Sequence, residues 1–442
     1  MILNYNFSNF RSFADETSFS MIASSQKDLN DQLIRYEGMR ILPSAVIYGA
    51  NASGKSNLVL SFAIMSDLVL SGNVKSGSQN LINLELCPFI HGDTGDAPMK
   101  FELDFIHNAT RYKYGFSINV SSIKRTERAI ISEALYVITA KNPNRNFKPI
   151  FIRDSKSVTI SRDNSVLSFI GCDKKSLELM EKQLNENLDS EHFFLSGGFK
   201  SVVSKKIADE VLAFFQDRLV VFTDFSVEFS KINIKGEFNG IKGAKLVLWN
   251  EALLQFISHA DFGPQRIVFI ADNSKDEDSM VATLQSEYKD TFIPSSLMES
   301  KGTIHLLKFA LMIRDILQKG QTVVLDEFDS SIHPEITKGI IALFNDPVIN
   351  KKGAQLIFTS HNPIFLNKNT FRRDQIRFVE KDRETYKSYI YSLADLGSED
   401  VRNDENYLLN YFRGNYGALP FIDFRDVFTE DFLQGSEDNI DD

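Results

Sequence analysis

The chain has 442 residues, 43% hydrophobic and 24% charged, the composition of a folded globular protein and not of a disordered one. A formal net charge of -10 argues against a protein coated in nucleic acid by bulk charge, while leaving room for a local basic groove. The 2 cysteines, Cys87 and Cys172, lie far apart without Cys or His partners at ligand spacing, so no disulfide scaffold or zinc site is expected and a reducing cytoplasm fits.

The N-terminal MILNYNFSNFRSF carries no apolar core of signal-peptide length. No run approaches ~20 uninterrupted apolar residues, so the expectation is a cytoplasmic protein without membrane contact. The length suits two or three ordinary domains, or one large domain with an insertion.

In chain order, ILNYNF alternates as a strand and LPSAVIYG is a compact buried strand ending in Gly49. Helical spacing follows from Ser56 to Leu70, at Leu58, Phe62 and Met65. FELDFIH, YKYGFSINV and ALYVITA, separated by Asp, Asn and Gly, predict an antiparallel sheet. From Cys172 to Leu219 the pattern is helical, in LELMEKQLNENL and KKIADEVLAFFQDRL. KINIKGEFNGIKGAK, rich in Gly and Lys, reads as an exposed loop or hairpin. After Ser295 helices and strands alternate: TIHLLKFALMIRDIL, TVVLDEF, PEITKGIIALF and AQLIFTS predict βα units on a parallel sheet. The 37 phenylalanines spread over these elements and read as core packing. The end, TEDFLQGSEDNIDD, is acidic.

The stretch Gly49-Ala-Asn-Ala-Ser-Gly-Lys-Ser56 sits between a strand and a helix. Its glycines let the backbone fold around a phosphate, whose charge is met by amide groups and the dipole at the helix start. Lys55 is placed to reach β- and γ-phosphates and Ser56 to hold Mg²⁺. In Val323-Val-Leu-Asp-Glu327 a buried strand puts Asp326 at its end as a second metal anchor. Glu327 comes next, where a general base would polarise a water. Alone, that segment reads equally as a strand running into a solvated acidic turn; beside the phosphate loop it gains weight.

Ser360-His361-Asn362-Pro363 closes the next strand, and His361 is either a γ-phosphate contact or a loop histidine. Glu299-Ser300-Lys301-Gly302-Thr303 opens a helix. It is either a plain N-cap or an anion site, and its distance from Lys55 along the chain points to a phosphate held by another subunit.

The order of GANASGKS, ESKGT, VVLDEFDSSIHP and FTSHNP resembles the ABC-type ATPase heads of the SMC, RecF and OLD kind. More narrowly it is similar to the compact bacterial ATPases of the AAA15/AAA21 type. NFSNFRSF, SEALY (132–136), RRDQIRFVEKD (372–382) and YFRGNYGALP (411–420) also resemble that group. The resemblance covers 1–140 and 290–420. It implies an α/β P-loop NTPase: an ABC-ATPase head with an N-terminal antiparallel β subdomain, a parallel-sheet core and a helical insertion. On that plan, 1–165 is the N-terminal lobe with Walker A, and 166–290 a helical or partner-docking insertion. Residues 291–425 are the C-terminal lobe with signature, Walker B, D-loop and switch histidine, and 426–442 an acidic tail.

The resemblance implies ATP and Mg²⁺ as cofactors. Gly49, Asn51, Ser53, Gly54, Lys55, Ser56 and Asn57 would surround the nucleotide, with Ser56 and Asp326 at the metal. Glu327 would be the general base, assisted by Lys55, and His361 the switch histidine. Ser300 and Gly302 would act in trans, and Asp329 to Ser331 would form the D-loop. Glu-Ser-Lys-Gly-Thr departs from the Leu-Ser-Gly-Gly-Gln pattern of transporter-type heads, and Gln79 is a Q-loop candidate by position only.

The group that the chain resembles includes ATPases of the RloA and AbiL type, and the resemblance implies an anti-phage system in which the ATPase senses infection and controls a separate effector. The implied function is an ATPase that pairs its heads, at least as a dimer, around ATP. Slow hydrolysis would then control a separate toxic effector, expected to be a nuclease, under a nucleic acid or phage-derived trigger. The segment after FVEKD is too short for the TOPRIM nuclease of OLD-type proteins, so that nuclease is expected on another chain. Asp395, Glu399, Asp400 and Asp404 read as a solvated loop, and Lys124, Arg125, Arg128, Lys200, Lys205 and Lys206 as a solvated face or a phosphate contact. Two alternatives stay open: a RecF-like DNA repair ATPase that clamps DNA, and a nucleotide-gated scaffold without turnover.

Overall fold

The computed structural model describes residues 1–75, 86–91, 97–120, 127–138, 146–223, 231–235, 246–248, 266–272, 279–330, 332–396 and 406–420. Gln79, Lys124, Arg125, Ser331, Glu399, Asp400, Asp404 and the tail 426–442 lie outside them.

A six-stranded sheet runs in the order Leu219–Phe222, Thr322–Leu325, Gln355–Thr359, Ser44–Tyr48, Ile376–Lys381, Ser388–Ser392. The first five strands are parallel and the last is antiparallel to its neighbour. Parallel strands are covered on both faces, so they read as unbroken apolar runs. Their side chains still alternate between two cores. Ala45, Ile47, Val324, Ile357 and Val379 enter one. Val46, Tyr48, Val323, Leu325, Leu356, Phe358 and Phe378 enter the other.

The first core is shared with the helix Lys55–Ser71, whose buried residues run all round it rather than along one stripe. It is closed by a seven-stranded antiparallel sheet, ordered Val158–Ile160, Lys148–Asp154, Arg128–Ile138, Thr110–Val120, Met99–His107, Ile2–Ser8, Thr17–Ser20. The second core is covered by the helices Lys301–Lys319 and Pro334–Asn345. The α/β architecture read from the sequence, an N-terminal antiparallel sheet beside a parallel core, is the architecture of the fold.

Gln355 fastens the sheets together. Its Oε1 accepts from Ile2 N (2.7 Å) and Thr322 Oγ1 (2.8 Å), while Nε2 donates to the carbonyls of Ile2 and Leu42. The RRDQ phrase is structural in the same way. Buried Arg372 pairs with Asp374 through Nε and Nη2, both at 2.9 Å, and Asp374 accepts from the backbone and hydroxyl of Ser24.

The 166–290 stretch differs from a purely helical insertion. Its first part holds helices, including Lys174–Glu186 and Lys205–Asp217. Leu219–Phe222 then joins the edge of the parallel sheet. Beyond it Lys231–Lys235, Ser279–Tyr288, Arg266–Asp272 and Leu246–Leu248 form a separate antiparallel sheet. KINIK is thus a strand, paired with residues 279–283. Pairing between such distant segments leaves no mark in local composition.

Candidate nucleotide site

The P-loop strand, the acidic strand and the strand between them end level with one another. Thr359 lies opposite Ile47, and Leu325 opposite Phe358. Three loops therefore emerge together at the carboxyl edge of the sheet, where open α/β sheets bind ligands.

The first is the phosphate loop. A Cβ at Gly49 would collide with the Val379 carbonyl. Gly54 has φ 116°, and a Cβ there would lie 2.7 Å from Ser388 Oγ and 2.9 Å from Ser12 Oγ. Only glycine meets both demands. Gly54 gives the helix Lys55–Ser71 no side-chain cap, so its first amide groups lack a side-chain acceptor. Ser53 Oγ is buried with no hydrogen-bond partner among the described residues. Lys55 is 5% exposed, and its ammonium donates to the carbonyls of Gly49 (2.8 Å) and Ala50 (3.0 Å). Burial lowers its pKa, against the pull of Asp326 and Glu327. Uncapped amides, an orphan hydroxyl and a lysine turned inward fit a bound phosphate chain.

Asn51 and Ser56 are exposed at the rim of the loop. Asn57 Nδ2 donates to Ser12 Oγ (2.9 Å), so the N-terminal FRSF segment braces the helix start. A cleft of about 380 Å³ opens beside it, bounded by Arg11, Ser12, Asn57, His91, Lys381 and Tyr386.

The second loop carries the acids. Asp326 Oδ1 accepts a 2.6 Å bond from Thr359 Oγ1, and the same hydroxyl accepts from the amide of Glu327 (2.7 Å). Glu327 has φ 46°, a left-handed conformation that is costly for a side chain with a Cβ. Its carboxylate is exposed, with Oε1 3.8 Å from His361 Nε2. Asp329 accepts from Ser360 Oγ (2.7 Å), and burial raises its pKa. In the third loop His361 has a lowered pKa, first from burial and then from the nearby Lys55, against three carboxylates. A cleft of about 400 Å³ is lined by Glu327, Asp329, Ser330 and His361.

Ser300 is the N-cap of the helix Lys301–Lys319, accepting from Thr303 N at 3.1 Å. Its hydrogen bonds stay within its own turn, and Gly302 is buried beside it. The fold thus gathers Gly49, Ser53, Gly54, Lys55, Asp326, Glu327, Asp329 and His361 at one edge. Ser300 and Gly302 sit at the start of a separate helix. Asp395 is an exposed turn residue accepting from Ser392 N, and Lys200 pairs with Asp209.

Four hydroxyls of the site escape a reading of the sequence: Ser12, Thr359, Ser360 and Ser388. Thr359 and Ser360 stand there only as neighbours of His361; two side-chain hydroxyls closing a buried strand are the available signal. Ser388 lies at the start of a strand with nothing local to mark it.

Fold and site together define a P-loop nucleotide-binding protein with paired acids at the strand edge. Residues 44–367 match the family described as "AAA domain, putative AbiEii toxin, Type IV TA system", and the chain belongs to that family. A comparison with curated proteins finds no match. Among solved structures it is similar to the SMC head domain from Thermotoga maritima, at 16% identity and TM-score 0.35, over 88% of this chain and 98% of that one. It is also similar to an SmcHead bound to the C-winged helix domain of ScpA, at 13% and 0.39, over 88% and 97%. A third is the Smc head domain with an extended coiled coil bound to the C-terminal domain of ScpA, derived from Pyrococcus furiosus, at 12% and 0.35, over 93% and 99%. Likeness at this level bears on neither activity nor partner.

Proposed function

We propose that the protein is an ATPase that closes paired heads around ATP-Mg and hydrolyses it slowly. By that cycle it controls a separate toxic effector, a nuclease, in bacterial anti-phage defence. The observation that carries the ATPase reading is the shared edge at which Lys55, Asp326, Glu327 and His361 meet. The defence role is supported by the resemblance to RloA and AbiL-type ATPases and by the toxin in the family's description.

Gly49, Asn51, Ser53, Gly54, Lys55, Ser56 and Asn57 would hold ATP, with Ser56 and Asp326 at Mg²⁺. Mg²⁺ held there would supply charge neutralisation to the phosphates. Lys55 exchanges its two carbonyl acceptors for phosphate oxygens. Glu327 takes the proton of the attacking water, and His361 beside it orients that water and the γ-phosphate. Ser300 and Gly302 of a second head close the site, and Asp329 lies at the junction. We take 1–165 and 291–425 as the two lobes of the head, joined by the helix Lys205–Asp217 and the strand Leu219–Phe222, and the rest of 166–290 as the partner-docking region.

Phosphate release by the wild type and by Glu327→Gln tests this. Slow turnover in the wild type, reduced about 100-fold or more in the variant, is the expected result for a lost general base. Equal turnover in both would remove Glu327 from that role.

A further inference from the structure

We infer that Thr359 is a positioning residue that sets both acids of the site with one hydroxyl. This rests on the ATPase reading above. The hydroxyl spends its proton on Asp326 Oδ1 and one lone pair on the amide of Glu327. The first bond fixes the orientation of the Asp326 carboxylate and leaves Oδ2 without a hydrogen bond among the described residues. The second bond holds the left-handed backbone from which Glu327 projects.

Position 359 closes a strand whose residues are all buried, and Thr359 itself is 0% exposed. A β-branched residue suits that place, and valine would fill it with the same shape. Packing alone therefore does not call for threonine. The hydroxyl has two partners, both in the acidic loop, on the neighbouring strand's end. Ser360 repeats the device one residue on, donating to Asp329 and accepting from Asn362 N. Thr359 governs Asp326 and Glu327, and Ser360 governs the far end of the same loop.

Groups that orient a metal-binding carboxylate typically change metal affinity or activity by about 10-fold to 100-fold when removed. Thr359 would act in that way, through Asp326 on the metal and through Glu327 on the attacking water.

The test compares Thr359→Ser, Thr359→Val and Thr359→Ala with the wild type. A fluorescent ATP analogue is titrated with and without Mg²⁺, and phosphate release is followed against Mg²⁺ concentration. Expected is unchanged nucleotide binding without Mg²⁺ in all four proteins. Val and Ala lose the Mg²⁺ enhancement of binding, and their half-saturating Mg²⁺ rises about 10-fold or more. Ser keeps wild-type behaviour, and the Ser-to-Ala difference isolates the hydroxyl even if Val does not fold. Wild-type Mg²⁺ dependence in Ala or Val overturns the assignment while leaving the ATPase reading intact. Equal damage in Ser and Ala also overturns it, since the methyl would then be the cause. A wild type that binds no nucleotide overturns both.

Discussion

Ser388 Oγ donates a 2.6 Å hydrogen bond to the carbonyl of Ser53, inside the phosphate loop and 335 residues earlier in the chain. The amide of Ser388 meanwhile donates to the carbonyl of Ser12. One residue at the start of an edge strand thus holds the phosphate loop and the N-terminal FRSF segment together.

Gly54 lies under that clamp. A methyl group there would sit 2.7 Å from Ser388 Oγ, at a φ of 116° that side chains rarely adopt. Gly54→Ala is expected to weaken nucleotide binding by about 10-fold or more, since roughly 1–2 kcal/mol of strain is released only by moving the loop. Titration with a fluorescent ATP analogue checks this. Wild-type affinity in the variant would mean that the loop is not held in this conformation.

Glu133 is a stability determinant remote from the site. It is 1% exposed and accepts from Tyr114 Oη (2.9 Å), Phe194 N (2.6 Å) and Leu195 N (2.8 Å), with Arg153 Nη1 at 3.4 Å. Burial raises its pKa, while those donors and Arg153 oppose the rise. Glu133→Ala leaves two amides and the Tyr114 hydroxyl without their acceptor. It also removes the countercharge of Arg153, whose guanidinium keeps only the carbonyls of His192 and Asp189 among the described residues. The change is expected to cost about 3–5 kcal/mol. A thermal melt reads this as a lower midpoint; an unchanged midpoint would show that the cluster contributes little.

His107 gives folding a pH dependence of definite sign. Burial, then Arg218 and the N-terminal amine, lower its pKa from 6.5 to about 4, against Asp217. The native imidazole is neutral while the unfolded one takes up a proton. Stability from this group is full above pH 6.5 and is lost as pH falls toward 4. The N-terminal amine, lowered to about 5 by burial and Arg218, has the same sign at higher pH. His107→Gln is therefore expected to flatten the decline in melting temperature between pH 6.5 and 4. Parallel curves for the two proteins would contradict this.

Much of the parallel core was legible because its strands are buried on both faces. LPSAVIYG, TVVLDEF and AQLIFTS are apolar runs of strand length, each ending in a polar or glycine-rich loop. Asp326, Glu327 and His361 could be placed because each comes directly after such a strand, and Lys55 because it closes the glycine loop between such a strand and a helix. Glu133 and Gln355 were not legible as anchors, since their partners lie far off in sequence and leave no local period. The clamp at Ser388 was hidden for the same reason. In the 231–288 region, strand pairing was masked by a Gly- and Lys-rich composition that reads as loop.

The central claim is that ATP draws two heads together across Ser300 and Gly302. It is tested most directly by the native mass of Glu327→Gln, measured by light scattering with and without ATP-Mg. The account predicts a doubling of mass on adding ATP-Mg, lost again in Ser300→Arg. A monomer under both conditions would contradict it and would leave Ser300 as a helix cap alone.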